Sequence, residues 1–230
     1  MNCALPQRKG IVVSQAYRID AGGRIDRGQE LSFKFNGKPY TGFAGDTLAS
    51  ALIANGVSIV GRSFKYHRPR GIMSAGAEET NAFVQLLGPD EEPNVLATTL
   101  RLVDGLEACS VSAKPEARFN PGEITNLLHR FFPAGFYYKT FMWPRNRWDW
   151  YGRLIRKVAG WGTAPIQASG GHYEHRYHHC DVLVIGAGPA GLSAALSAGR
   201  SGARVLLVDD QTEVGGYLLG SSAQIDGQPA

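Results

Sequence analysis

The sequence predicts an α+β unit in its first half and the opening strand–helix–strand of a parallel α/β unit near its end. Three observations lead there. Alternating apolar and polar residues flank an Asn-Gly pair and run into a capped helix between residues 31 and 56. An apolar run at residues 181–185 feeds a glycine-rich turn, an Ala/Leu-rich helix and a second apolar run. Composition is that of a globular chain: 43% hydrophobic and 19% charged among 230 residues, which argues against a wholly disordered chain, a collagen or a coiled coil.

The first unit covers residues 1–111. Leu31-Ser-Phe-Lys-Phe35 alternates, Asn36-Gly37 follows, and Pro39-Tyr-Thr-Gly-Phe43 resumes. Asn-Gly tolerates the two positive φ angles of a type I′ turn, so these runs read as a hairpin. Pro39 lacks an amide N–H, which places the second strand at an edge or bulge. In Gly45-Asp-Thr-Leu-Ala-Ser-Ala-Leu-Ile-Ala-Asn-Gly56, Asp46 or Thr47 can cap a helix, Leu48 and Leu52 share its face, and Asn55-Gly56 can end it. Further strands are expected at Ala82–Leu87 and Ala97–Val103.

Residues 112–179 form an aromatic and basic connector, read as loop and short helix because Pro115, Pro121, Pro133, Pro144 and Pro165 interrupt any long element. Residues 180–230 begin the second unit. Asp181–Ile185 and Val205–Val208 read as buried strands, with a helix over Pro189–Ser201 between them, which is a βαβ unit. One βαβ unit leaves sheet edges bare. The chain is therefore expected to be the N-terminal piece of a longer polypeptide, or else a partner supplies the missing strands.

The clearest chemical motif is Gly186-Ala187-Gly188-Pro189-Ala190-Gly191, set between the first strand and the helix, with Asp209-Asp210 closing the second strand. In such a turn the first glycine allows the sharp bend. The second lets backbone approach a diphosphate, and the third lets helix and strand pack closely. The helix N-terminus offers free N–H groups and a positive dipole to phosphate. Asp209 can accept hydrogen bonds from an adenosine ribose and repels a 2′-phosphate, favouring NAD or FAD over NADP. Gly215-Gly216 can bring more backbone near the same ligand.

Other features read as structural. Arg62-Ser-Phe-Lys-Tyr-His-Arg-Pro-Arg-Gly71 interleaves cations with aromatics, as a phosphate or single-stranded nucleic-acid site does. With a net charge of only +4, a loop whose arginines pair with carboxylates is the favoured reading. The aromatic run Phe131–Tyr151 is expected to pack against another domain or subunit rather than lie in a membrane. His172, His175, His178, His179 and Cys180 read as a linker rather than a zinc site, so no metal ligand is assigned. Cys3, Cys109 and Cys180 form neither a CxxC pair nor a disulfide framework. No apolar signal segment or transmembrane run is read in the sequence. A cytoplasmic location is expected, with no nucleic-acid or membrane partner.

Several long stretches carry a resemblance. They are Gly22-Gly-Arg-Ile-Asp-Arg27, Gly45-Asp-Thr-Leu-Ala-Ser-Ala-Leu52, Val60-Gly-Arg-Ser-Phe-Lys-Tyr-His-Arg-Pro-Arg-Gly71, Gly76-Ala-Glu-Glu79 and Pro133-Ala-Gly-Phe-Tyr-Tyr-Lys-Thr-Phe-Met-Trp-Pro144. With His175–Leu192 they resemble the alpha subunits of heterotetrameric sarcosine oxidases. The resemblance implies a bacterial oxidoreductase that converts sarcosine to glycine, hydrogen peroxide and either formaldehyde or methylenetetrahydrofolate. It implies beta, gamma and delta subunits and the remainder of the alpha chain as partners. FAD and the amine-oxidising site would lie on beta, FMN between alpha and beta, and NAD on alpha at Gly186, Gly188, Gly191 and Asp209. No catalytic residue is then expected in this chain.

The first unit also resembles a [2Fe–2S] ferredoxin-like β-grasp domain, and the second the start of a Rossmann-type NAD(P)/FAD-binding domain. Cluster-bearing relatives place cysteines in the loop after the helix. Here that loop, Arg62–Gly71, has none, and a cluster takes four thiolates. The expectation is thus a β-grasp shape with no Fe–S cluster, serving packing or assembly. Two alternatives stand beside the oxidase reading: a related amine or opine oxidase or dehydrogenase, and a non-catalytic assembly module.

Overall fold

In the computed structural model the chain forms two compact units, Met1–Gly170 and Gly171–Ala230. The structure describes residues 15–89, 91–113, 121–131, 135, 141, 143–144, 146–166, 174–221, 224–225 and 228–229. Cys3, His172 and most of the aromatic stretch 132–140 lie outside the described residues.

The first unit is organised by a hairpin. Strand β1 (Asp26–Phe35) pairs antiparallel with β2 (Lys38–Ala44), and Asn36 and Gly37 join them at φ 52° and 74°. Both angles are the positive ones that a type I′ turn requires. Three further strands follow: β5 (Phe83–Leu87), β6 (Val95–Leu96) and β7 (Leu106–Ser110). A small separate hairpin, β3 (Gly61–Arg62) with β4 (Pro69–Arg70), lies between. The main sheet runs β2-β1-β7-β5-β6, so β2 with its Pro39 is an edge strand, as the missing N–H demands. The sheet is mixed, because β1 and β7 are parallel while the other pairs are antiparallel.

Helix α1 (Leu48–Ala54) packs against this sheet. Its start is a reciprocal cap: Thr47 Oγ1 accepts from the Ser50 N–H, and Ser50 Oγ accepts from the Thr47 N–H. Asn55 caps the far end, and Gly56 takes φ 73°. Leu48, Ala51 and Leu52 are fully buried with Phe33, Phe35 and Val84, one face from the helix and one from the sheet. Each large apolar side chain so buried contributes about 1.5–3 kcal/mol.

One strand expected from sequence is corrected. Residues Ala97–Val103 are not a strand. Their backbone instead completes α1: the carbonyls of Leu100 and Ala97 accept from the N–H groups of Leu48 and Ala49 at 2.8 and 2.9 Å, and Leu102 N–H donates to Asp46 O at 2.8 Å. A helix N-terminus leaves its first N–H groups unpaired, and this segment satisfies them. The true strand is β7, in register with β1 through Phe33↔Leu106 and Phe35↔Ala108.

In the connector, α2 (Ile124–Leu127) is one short turn and α3 (Trp148–Ala159) ends on Gly160 at φ 67°. The connector returns to the sheet unit: Ser112 N–H donates to Gly160 O at 2.8 Å, and Thr163 N–H donates to Gln85 Oε1 at 2.9 Å. Among the described residues no helix is long and apolar enough to cross a membrane.

The second unit holds β8 (Val182–Ile185), α4 (Pro189–Arg200) and β9 (Val205–Val208). The strands are parallel, from Val182↔Val205 to Ile185↔Val208. Arg204 ties the strand starts together, its Nη2 and Nε reaching Asp181 at 2.8 and 3.1 Å. The strands are not the buried ones expected: Leu183 is 52% and Ile185 80% exposed. Strand burial depends on cover over both faces, and the described part of this unit contributes one α-helix and a short 3-10 helix.

Candidate functional site: a dinucleotide-type turn

The parallel register brings the carboxyl ends of β8 and β9 level, so the turn after Ile185 and the residues after Val208 emerge side by side. In open parallel sheets this end is where ligands bind. Gly186 leaves β8 at φ 99°, and its N–H donates to Val208 O at 2.8 Å, extending the ladder by one bond. Ala187 is buried. Gly188 caps α4 in an extended conformation, Pro189 takes the first helical position, and Leu192 N–H donates back to Gly188 O at 2.9 Å.

The three glycines differ physically. A Cβ on Gly191 would stand 1.8 Å from Gly186 O, so helix and turn touch through bare backbone. A Cβ on Gly188 would meet nothing within 4 Å. Gly188 therefore faces open space at the N-terminus of α4, where a ligand backbone has room to approach. The N-cap residue of α4, Gly188, has no side chain to cap it.

The residues after β9 close over this turn. Asp209 Oδ2 accepts a hydrogen bond from Ala187 N–H, and Oδ1 accepts from Gln211 N–H at 2.8 Å. These two N–H bonds, the Ala187 one first, hold the Asp209 carboxyl below the usual aspartate range. Gly215, at φ 123°, donates its N–H to Ala187 O at 2.8 Å. A Cβ on Gly216 would lie 3.0 Å from Gly188 Cα. Of the residues singled out from sequence, Gly186, Ala187, Gly188, Pro189, Ala190, Gly191, Asp209, Gly215 and Gly216 thus share one locus. Asp210 is exposed and bonds Gln211 Nε2 rather than the turn. Gln211 was not singled out. Its signal was the Asp-x-Gln spacing, since Asp side chains commonly accept from the N–H two residues on.

The basic segment Arg62–Gly71 forms the β3–β4 hairpin, and its cations are engaged internally. Arg62 is buried, ion-paired with Glu123, and donates to His67 O at 2.6 Å. Arg68 Nε bonds Asn126 Oδ1 at 2.9 Å and its guanidinium stacks on Tyr66, while Arg70 bonds Asn81 Oδ1 at 2.8 Å. Burial and the Arg62 charge push the His67 imidazole below its ordinary pKa. A cavity of about 620 Å³ beside this hairpin is lined by Tyr66, Arg68, Glu123, Asn126 and His129 among others.

Against known proteins, residues 28–113 match the family described as a 2Fe-2S iron-sulfur cluster binding domain, and residues 181–228 match FAD dependent oxidoreductases. Over 217 residues, 94% of the chain, it is 54% identical to the sarcosine oxidase alpha subunit of Rhizobium meliloti. It is 37% identical, again over 94% of the chain, to the same protein from a Corynebacterium. The chain is a relative of sarcosine oxidase alpha subunits. It spans 22% and 18% of those two proteins' lengths. A shorter match, 55% over 38 residues covering 16% of the chain and 8% of its counterpart, is to one polypeptide of the opine oxidase of Agrobacterium tumefaciens.

The expectation of no Fe–S cluster is overturned by the match of residues 28–113 to a 2Fe-2S cluster binding family. That expectation counted thiolates, whereas the match spans residues 28–113, the hairpin–helix–sheet frame above. The side chains described do not by themselves supply the donor set. Cys109 is buried in β7, Cys180 belongs to the other unit, and among the described residues no group of three or more His, Cys, Asp or Glu is placed to hold a metal.

Proposed function

We propose that this chain is the dinucleotide-binding portion of the alpha subunit of a flavoenzyme that oxidatively demethylates sarcosine. The turn Gly186–Gly191 grips the diphosphate of an ADP-containing dinucleotide, NAD as the resemblance implies. The observation that carries the binding reading is the contrast between two glycines. Gly191 has no room for a Cβ, while Gly188 has open space in front of it at a helix N-terminus. The first is needed for packing and the second for approach of a ligand. Asp209, beside the turn, accepts from the sugar hydroxyls of the adenosine half and disfavours a 2′-phosphate. Identity along 94% of the chain supports the sarcosine reading. The opine oxidase match covers far less of the chain.

The test is made on the complete purified complex. It is denatured, the released nucleotides are separated and identified, and oxidation of sarcosine and of opines is followed by peroxide release. NAD released with the flavins, together with sarcosine turnover, is the expected result. Release of no dinucleotide attributable to the alpha subunit overturns the binding reading, and oxidation of opines alone overturns the substrate.

A further inference from the structure

Both backbone polar groups of Ala187 are held by residues that follow β9. Its N–H donates to Asp209 Oδ2, and its carbonyl accepts from Gly215 N–H at 2.8 Å. Its side chain is buried, and Gly216 backs directly onto Gly188. Asp209 is itself braced, because its second oxygen accepts from Gln211 N–H at 2.8 Å. An ionised carboxylate has about four acceptor directions. The N–H groups of Ala187 and Gln211 take two of them, and the neighbouring Asp210 also interacts with this carboxylate.

We propose that Asp209 is a positioning residue for the diphosphate grip as well as an acceptor for the ribose. Acting through Ala187 N–H, it holds the Gly186–Gly188 backbone in the shape that presents the N-terminus of α4, with Gly215 securing the other side of the same residue. One carboxylate therefore couples recognition of the sugar to recognition of the phosphates. This rests on the dinucleotide reading above and adds to it. A residue that touched only the ribose would leave phosphate affinity unchanged when altered. A residue that also sets the loop changes both. Charge-assisted hydrogen bonds of this kind are short and strong, and loss of one weakens a preorganised site about tenfold or more.

The experiment uses the complete complex and two probes, NAD and its analogue lacking the 2′- and 3′-hydroxyls of the adenosine ribose. Binding to wild type, Asp209→Asn and Asp209→Ala is measured by calorimetry. The expected result is a loss of about tenfold or more for the analogue in Asp209→Ala, with a smaller loss in Asp209→Asn, whose side-chain oxygen can still accept from Ala187. Unchanged affinity for the analogue, with loss for NAD alone, overturns the positioning role and leaves the sugar contact. Failure of wild type to bind either probe overturns the dinucleotide reading itself. A second measurement needs no variant: amide hydrogen exchange in wild type without nucleotide. Ala187 N–H is expected to be protected, and exchange at the rate of an open amide overturns the proposal.

Discussion

Replacing Gly191 and Gly188 separately by alanine separates packing from ligand approach. In Gly191→Ala the new methyl would sit 1.8 Å from Gly186 O, against an ordinary contact of 3.4 Å or more. Helix α4 and the turn must part by about 1.6 Å to relieve it. The obstacle is backbone, so no side-chain rotation helps, and the cost falls at the upper end of overpacking, about 3 kcal/mol. That destabilisation is local to β8, α4 and β9. It should speed amide exchange there by roughly a hundredfold in the complete complex, with the first unit unchanged. In Gly188→Ala the methyl enters open space at φ −71°, a conformation alanine tolerates. Exchange should stay near wild type while dinucleotide affinity falls at least about tenfold, because the methyl occupies the line of approach. Wild-type exchange in Gly191→Ala would refute the packing argument. Wild-type affinity in Gly188→Ala would show that the diphosphate goes elsewhere.

Three further outcomes are expected in the first unit. Asp46 is fully buried and accepts from Arg18 Nη1 and Nη2 at 2.9 and 2.6 Å, from Phe43 N–H at 2.9 Å and from Ser50 Oγ at 2.6 Å. Asp46→Asn keeps the volume but leaves Arg18 unpaired, so the unfolding midpoint of this unit in urea should fall by an amount equivalent to about 3 kcal/mol. Burial alone would raise the Asp46 pKa, but hydrogen bonds from Arg18, Ser50 and Phe43 outweigh it and hold it below its ordinary 3.8. Glu79 is likewise held below 4.5: burial opposes, and backbone N–H groups led by those of Ser74 and Asn81 prevail. Both carboxyls bind protons more weakly folded than unfolded. The stability they supply is therefore fully present above about pH 4.5 and is lost as pH falls through their lowered folded values, which an acid titration by circular dichroism checks. Asp46→Asn should flatten that loss. Leu52→Ala, at a site with no exposure, should cost about 2–5 kcal/mol in the same urea assay, and a cost under about 1 kcal/mol would mean the core closes the gap.

Features that depend on a few neighbouring residues were legible in the sequence. Asn36-Gly37, Thr47 with Ser50, Asn55-Gly56 and Gly186–Gly191 each adopt the conformation their own sterics and hydrogen-bonding groups favour. The arginines of the 62–71 loop were expected to pair with carboxylates; Arg62 does so with Glu123, while Arg68 and Arg70 bond the side-chain amides of Asn126 and Asn81. Pairing over long separations was not legible. Residues 97–103 look like a strand, but the unpaired N–H groups at the start of α1 claim their backbone. β7 pairs with β1 across 73 residues, as the Lys34–Glu107 ion pair marks. Counting cysteines led to the expectation of no Fe–S cluster, which the match of residues 28–113 to a 2Fe-2S cluster binding family overturns. At the candidate site the sequence by itself determined which residues form the turn, since only glycine fits where Gly191 meets Gly186. Only the tertiary structure decided that Asp209 grips Ala187: a hydrogen bond between ends of two strands exists only once those strands lie in register.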